Sequence, residues 1–300
     1  MKEEKTAGGL AGADVVETFA ERSLTIDDLS FHLTDYRGRV DASPLMCLHG
    51  GMAHSRFFDF LAPRLRDVAR PFALDRRGHG ESDWTEPGNY GFRRDIEDIE
   101  AACMQVDPAP WILLGHSQGG VLSVPLALRQ RLPLRALILL DMPFDPLAPS
   151  MRRTGDRLRR VPQIRYPSWE VATRGFQPYP LPHKANDAVV EHLAGHSFRA
   201  SDEGGFLSKF HWARMRGPRD PDGNMLADFP DRFREIKIPV LVLRGGESSI
   251  LPANEYAEMV ARFPAATGAE IAGTTHSLHL EKPEAVAEVI RDFLTGLPPA

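Results

Sequence analysis

The sequence predicts an α/β protein: a mostly parallel central sheet covered by helices on both faces, carrying an inserted, mainly helical cap. Three observations predict it. Short apolar runs recur along the chain, each ending in Gly, His, Asp or Ser; stretches with helical spacing separate them; and the alternation lapses over one long segment rich in Pro, Arg, His and aromatics. An uninterrupted apolar run of about four to six residues is the mark of a strand buried on both faces, which is what a parallel sheet requires.

In chain order, residues 22–26 and 29–36 are read as an antiparallel hairpin turning at Asp27 and Asp28. Residues 45–48 and 71–74 follow as buried strands, with a helix expected over 57–68 between them. Residues 95–106 have helical spacing and lead into the strand at 111–114; residues 118–131 follow a Ser-Gln-Gly-Gly turn as the next helix and lead to the strand at 136–140. The strand signal then disappears between about 143 and 229 and returns at 240–243. Residues 284–294, apolar at Ala285, Val286, Val289, Ile290 and Phe293, read as an amphipathic closing helix. The expected division is a discontinuous core of residues 1–143 and 230–300, with residues 144–229 as the cap.

Composition excludes several alternatives. At 300 residues, with 42% hydrophobic and 26% charged side chains, the chain is neither collagen-like, nor a coiled coil, nor wholly disordered. A formal charge of −5, from 36 basic and 41 acidic residues, offers no basic excess for nucleic acid. No apolar run approaches the ~18 residues of a membrane span, and residues 1–14 are charged and then Gly- and Ala-rich, without the apolar core of a signal peptide. Cys47 and Cys103 match no metal-ligand spacing or disulfide framework and are expected to be reduced and buried. A cytoplasmic protein acting on a small molecule, with no nucleic-acid or membrane partner, is the expectation; the oligomeric state is not legible. Between residues 150 and 175, Arg152, Arg153, Arg157, Arg159, Arg160, Arg165 and Arg174 face only Asp156 and Glu170. Such a run reads first as a solvated helix face, and it keeps an anionic substrate open.

The chemistry concentrates at residues 111–120, Trp-Ile-Leu-Leu-Gly-His-Ser-Gln-Gly-Gly. An apolar strand runs into G-x-S-x-G and on into a helix, the context in which a sharp turn presents a nucleophilic Ser at a sheet end. Ser117 is the candidate nucleophile. On this motif the sequence resembles the α/β-hydrolase fold superfamily, and the resemblance covers most of the chain outside the insertion.

That resemblance carries further expectations. Leu48-His49-Gly50-Gly51 resembles the family's oxyanion loop, so a backbone N–H of Gly51 or Met52 would join that of Gln118 in holding a developing oxyanion. Residues 75–83, beginning Asp75-Arg76-Arg77-Gly78-His79-Gly80, resemble its D-x-R-G-x-G-x-S loop, which is mainly structural. Residues 273–283 resemble the segment that delivers the catalytic histidine, with His276 at the family's position and His279 as the local competitor. A Ser hydroxyl needs such a base to lose its proton during attack.

The acid departs from the pattern. After the strand at 240–243, Ser249 stands where an Asp would be expected. Asp141, ending the strand at 136–140, is the first candidate because some α/β hydrolases take their acid there and the order Ser, Asp, His is kept. Glu247 is the second, and a Ser–His pair without an acid is the third. No dinucleotide fingerprint follows a first strand, so no cofactor is implied. His192 and His196 stand four apart and would bind Zn²⁺ only with ligands from elsewhere, so no metal site is expected. The leading expectation is a cofactor-independent serine hydrolase acting on a small or medium ester, or on a carbon–carbon bond beside a carbonyl. The alternatives are a lyase, perhydrolase or cyclase on the same fold, or a non-catalytic ligand-binding protein.

Overall fold

A computed structural model describes residues 19–178, 183–216 and 225–298. The charged terminus at residues 1–14 lies outside them.

Strands β1 (Ala20–Ile26) and β2 (Leu29–Asp35) form the expected hairpin, with Asp27 and Asp28 both at positive φ in its turn. They are followed by β3 (Pro44–Leu48), β4 (Arg70–Leu74), helix α1 (Phe92–Val106), β5 (Trp111–His116), helix α2 (Gln118–Arg129) and β6 (Leu134–Leu140). The helix expected over 57–68 is instead two separate 3₁₀ turns, Ser55–Phe58 and Ala62–Leu65. Pro63 explains the interruption. It has no N–H to donate, so the helical bond that would reach back four residues to the Asp59 carbonyl cannot form.

Between β6 and β10 (Val240–Gly245) the chain forms helices α3 (Pro149–Leu158), α4 (Trp169–Arg174) and α5 (Asp187–Ser197), together with short strands β7 (Arg165–Tyr166), β8 (Phe198–Ala200) and β9 (Phe206–Ser208). These strands make an antiparallel sheet in the order β7-β9-β8, so the inserted segment carries strand pairing that its sequence did not announce. After β10 come α6 (Ala253–Arg262), β11 (Ala266–Ile271), α7 (Leu278–Glu281) and the closing helix α8 (Pro283–Thr295).

The main sheet has the order β1-β2-β4-β3-β5-β6-β10-β11. All pairs from β4 to β11 are parallel; β1 with β2 and β2 with β4 are antiparallel. Alternation within the central strands sorts side chains to two faces. In β6, Leu137 and Leu139 join α1 and α2 on one side, while Ala136, Ile138 and Leu140 meet Val286, Ile290 and Leu294 of α8 on the other. Both faces are therefore core, which is why these runs carry no polar alternation. A third, smaller cluster packs Val189 and Leu193 of α5 against Ala53, Phe57, Phe60 and Leu280, seating the inserted segment on the core. Among the described residues no helix is long and apolar enough to cross a membrane.

Strand order places the site. The chain passes from β3 outward to β4 and then returns to the other side of β3 as β5. At such a reversal the two following loops diverge and leave a crevice at the carboxyl ends of the strands. The β3 loop carries Gly50 and Gly51, and the β5 turn carries Ser117.

Candidate active site

Ser117 sits at the junction of β5 and α2 with φ 51° and ψ −117°, a conformation that costs free energy for any residue with a Cβ. Neighbouring glycines permit it. A Cβ at Gly119 would lie 2.0 Å from the Leu48 carbonyl oxygen, and one at Gly115 would lie 2.5 Å from the backbone of Gly119 and Gly120. The Ser117 N–H is spent on the Leu140 carbonyl at 3.0 Å, so the turn is bonded to β6.

Asp141, immediately after β6, also has positive φ, and its carboxylate is fully buried. Three donors converge on it: His276 Nδ1 at 2.8 Å and Ser248 Oγ at 2.6 Å on Oδ1, and the Gly245 N–H at 2.7 Å on Oδ2. A carboxylate can only accept, so His276 carries a proton on Nδ1, and in the neutral ring Nε2 holds the lone pair. The His276 backbone is held as well: His116 Nε2 donates to the His276 carbonyl at 3.0 Å, and the two ring centroids lie 4.6 Å apart. His116 directly precedes Ser117, so one side chain ties the Ser117 turn to the His276 loop. Gly245 allows the closest approach of the two loops, since a Cβ there would lie 1.9 Å from the Thr275 carbonyl oxygen.

Of Asp141, Glu247 and Ser249, the geometry brings only Asp141 to His276. Glu247 is exposed and pairs with Lys184 of the inserted segment at 2.6 Å, and Ser249 is exposed. The buried serine is Ser248, one position earlier than the sequence pattern suggested, because a tight turn bonds its N–H to the Gly245 carbonyl at 2.9 Å. His279 is buried against Phe58 and His116 with neither ring nitrogen bonded; burial pushes it down to about 3, so it is neutral and packs.

The β3 loop reaches Ser117 because Gly50 has no side chain: a Cβ there would be 3.3 Å from the Ser117 Cβ. Neither Gly51 nor Met52 donates its N–H to another protein group among the described residues, and the Gln118 N–H is among those that a helix leaves unbonded at its start. The sequence reading missed what holds this loop. Arg76 is fully buried and donates to the carbonyls of His49 at 3.2 Å and Gly50 at 3.0 Å and to Gln118 Oε1 at 2.9 Å, while pairing with Asp95 at 3.3 Å. Turning the loop's carbonyls toward Arg76 leaves its N–H groups for the opposite side. Burial pushes the guanidinium down to about 10, still charged at neutral pH. Asp75 accepts from His32 Nδ1, the Ser55 N–H and the Glu81 N–H, and the His79 ring packs at a tilt against His49, both in line with a loop that shapes the site without entering it.

Between the β3 loop and the inserted segment lies a cavity of about 270 Å³, whose lining includes Gly51, Met52, His54, Phe57, Leu158, Tyr166, Phe198, Lys209 and Trp212. None of the seven arginines of the 150–175 run is among its described lining residues. Six of the seven are exposed, so the run is mainly a solvated face. His192 and His196 do acquire a third potential metal ligand, Asp59, with one atom from each within 4.8 Å. That carboxylate is already taken: His192 Nε2 and Tyr36 OH lie at 2.7 Å and Arg56 Nε at 2.8 Å. A guanidinium in contact repels a dication, so the cluster acts as a polar tie between α5 and the core.

Comparison with known proteins places this geometry in context. A family model described as "Alpha/beta hydrolase family" matches residues 45–289. An esterase of Mycobacterium tuberculosis is 24% identical over 258 residues, 84% of this chain and 83% of that protein. A mouse sn-1-specific diacylglycerol lipase is 23% identical over 268 residues, 89% of this chain and 85% of its own. Among solved structures, E-2-(acetamidomethylene)succinate hydrolase superposes with a TM-score of 0.77 at 22% identity, covering 93% of this chain and all of that one, a likeness of fold.

Proposed function

Because this chain belongs to the alpha/beta hydrolase family, we propose that it is a cofactor-independent serine hydrolase with Ser117 as nucleophile, His276 as base and Asp141 as the acid that orients it. That it is a hydrolase rests on the family and on relatives named as esterase and lipase. The observation that carries the finer reading is the buried Asp141–His276 hydrogen bond at 2.8 Å beside the strained Ser117 turn.

In this reading His276 Nε2 takes the Ser117 proton as Oγ attacks a carbonyl carbon, and Asp141 stabilises the imidazolium that forms. The amides of Gly51 or Met52 and of Gln118 receive the oxyanion. Such donors act because they are oriented before the charge appears, and removing one costs roughly 3–4 kcal/mol in well-studied enzymes. The leaving group departs with the proton from His276, and water then releases the acyl group from Ser117 by the same route. The scissile bond is that of a small or medium ester, or a carbon–carbon bond beside a carbonyl.

Lyase, perhydrolase, cyclase and ligand-binding alternatives drew their support from Ser249 standing where the acid is expected; the three hydrogen bonds on Asp141 supply an oriented carboxylate from another strand end and so favour the hydrolase. Residues 144–229 serve as the cap over the cavity, and the two buried, unpaired cysteines favour a cytoplasmic location. Ser117→Ala is expected to abolish both p-nitrophenyl ester turnover and fluorophosphonate labelling; undiminished turnover would sink the assignment.

A further inference from the structure

Among the described residues, the cavity above the β3 loop has one fixed charge in its wall. Six aromatic side chains, Phe57, Tyr166, Phe176, Phe198, Phe210 and Trp212, line it, and among its described lining residues Lys209 is the only ionised side chain. His54, on the same wall, is neutral. Ser197 Oγ donates to the Leu193 carbonyl at 2.7 Å, so His54 Nε2 is the donor in its 3.0 Å contact with Ser197, and burial holds that imidazole down to about 3.

Lys209 follows β9, and its backbone N–H donates to the Ser197 carbonyl at 2.8 Å, fixing it at the end of α5. The residue is 8% exposed. Its ammonium pairs with Glu81, whose own side chain is 54% exposed. One carboxylate reached from the solvent side uses part of the bonding capacity of an ammonium, which has three donors. A buried cation with donors to spare beside an aromatic cavity is costly unless a second acceptor arrives.

We propose that this cavity is an acyl subsite for a chain that carries its own carboxylate, with Lys209 as the specificity-determining residue that binds it. The substrates are then monoesters of short dicarboxylic acids, the ester carbonyl at the oxyanion loop and the free carboxylate at Lys209. A volume of about 270 Å³ lies just under the roughly 300–1,000 Å³ usual for small-molecule sites, which suits a short acyl chain. The proposal rests on the serine-hydrolase reading only in delivering that acyl group to Ser117.

The test compares kcat/KM for the monoethyl esters of succinic, glutaric and adipic acids with ethyl esters in which an isopropyl group replaces the free carboxylate. At one chain length the native enzyme is expected to prefer the acid by roughly ten- to a hundredfold, the worth of one charged hydrogen bond. Lys209→Met should abolish or reverse that ratio, Lys209→Arg should retain it, and Glu81→Gln, which removes the competing carboxylate, should raise it. A native ratio at or below unity at every length, or one unmoved in a folded Lys209→Met, overturns the subsite. Fluorophosphonate labelling of Ser117 with cleavage of the isopropyl esters would, in that event, leave the hydrolase reading standing; absence of labelling and of all cleavage would overturn both.

Discussion

Replacing Asp141 by Asn tests the site most directly, because three donors converge on that carboxylate and an amide can satisfy only part of them. With its oxygen toward Gly245, the Asn NH₂ group would face His276 Nδ1 and Ser248, which now donate at 2.8 and 2.6 Å. The imidazole would then have to move its proton to Nε2, where it cannot accept from Ser117. With the amide reversed, NH₂ would meet the Gly245 N–H now 2.7 Å from Oδ2. Either way the histidine loses its productive tautomer or the loop loses a bond. The analogous change in the best-studied triad lowers kcat about 10⁴-fold, equivalent to about 5 kcal/mol of transition-state stabilisation. Initial rates on a p-nitrophenyl ester would read it, with a thermal melt to establish that the variant is folded. A folded Asp141→Asn enzyme within about threefold of native kcat/KM would refute Asp141 as the acid.

Two further outcomes follow from the same geometry. Ser248→Ala removes one charged hydrogen bond from Asp141 and should lower kcat roughly ten- to a hundredfold with little change in KM; equal kcat in steady-state assays would mean that Ser248 only fills space. Acid should destabilise the protein below about pH 6.5, because His279 is held to about 3 and His196 and His211 to about 4 by burial. These imidazoles stay neutral when folded but bind protons once unfolded, so stability is lost as pH falls from 6.5 toward 4. His279→Phe should flatten the slope by up to about 1.4 kcal/mol per pH unit, measured by urea unfolding at pH 4.5 to 7; an unaltered slope would show that His279 is charged in the fold.

Local pattern carried much of the fold. Five buried strands, the first hairpin, α1, α2 and the closing helix are each written in a run of neighbouring residues, because a strand buried on both faces needs uninterrupted apolar side chains and a helix needs one apolar stripe. β11 was not legible in that way. It lies at the sheet edge, Thr267, Gly268 and Glu270 are exposed, and only its last residue is buried. The three-stranded sheet of the inserted segment has strands of two or three residues, too short to impose a period.

The site divides on the same line. Ser117 was legible because the turn that strains it requires glycines within four positions, all of them local. His276 was reached through a resemblance on local residues just before the last helix. The carboxylate bonded to His276 was not, because its identity depends on pairing between strands far apart in the chain. β10 lies beside β6 with Leu243 opposite Leu140, and that register delivers Gly245 and Ser248 to Asp141 across 104 and 107 residues. Arg76 and Lys209 were silent for the same reason: an arginine in a loop and a lysine after a short strand look solvated until their burial is known. The sequence by itself determined the layered α/β class and the strained Ser117 turn, since short-range sterics and periodicity decide them. Tertiary structure alone decided which carboxylate meets the histidine and which cation faces the cavity, since hydrogen bonds and desolvation act between groups that only folding makes neighbours.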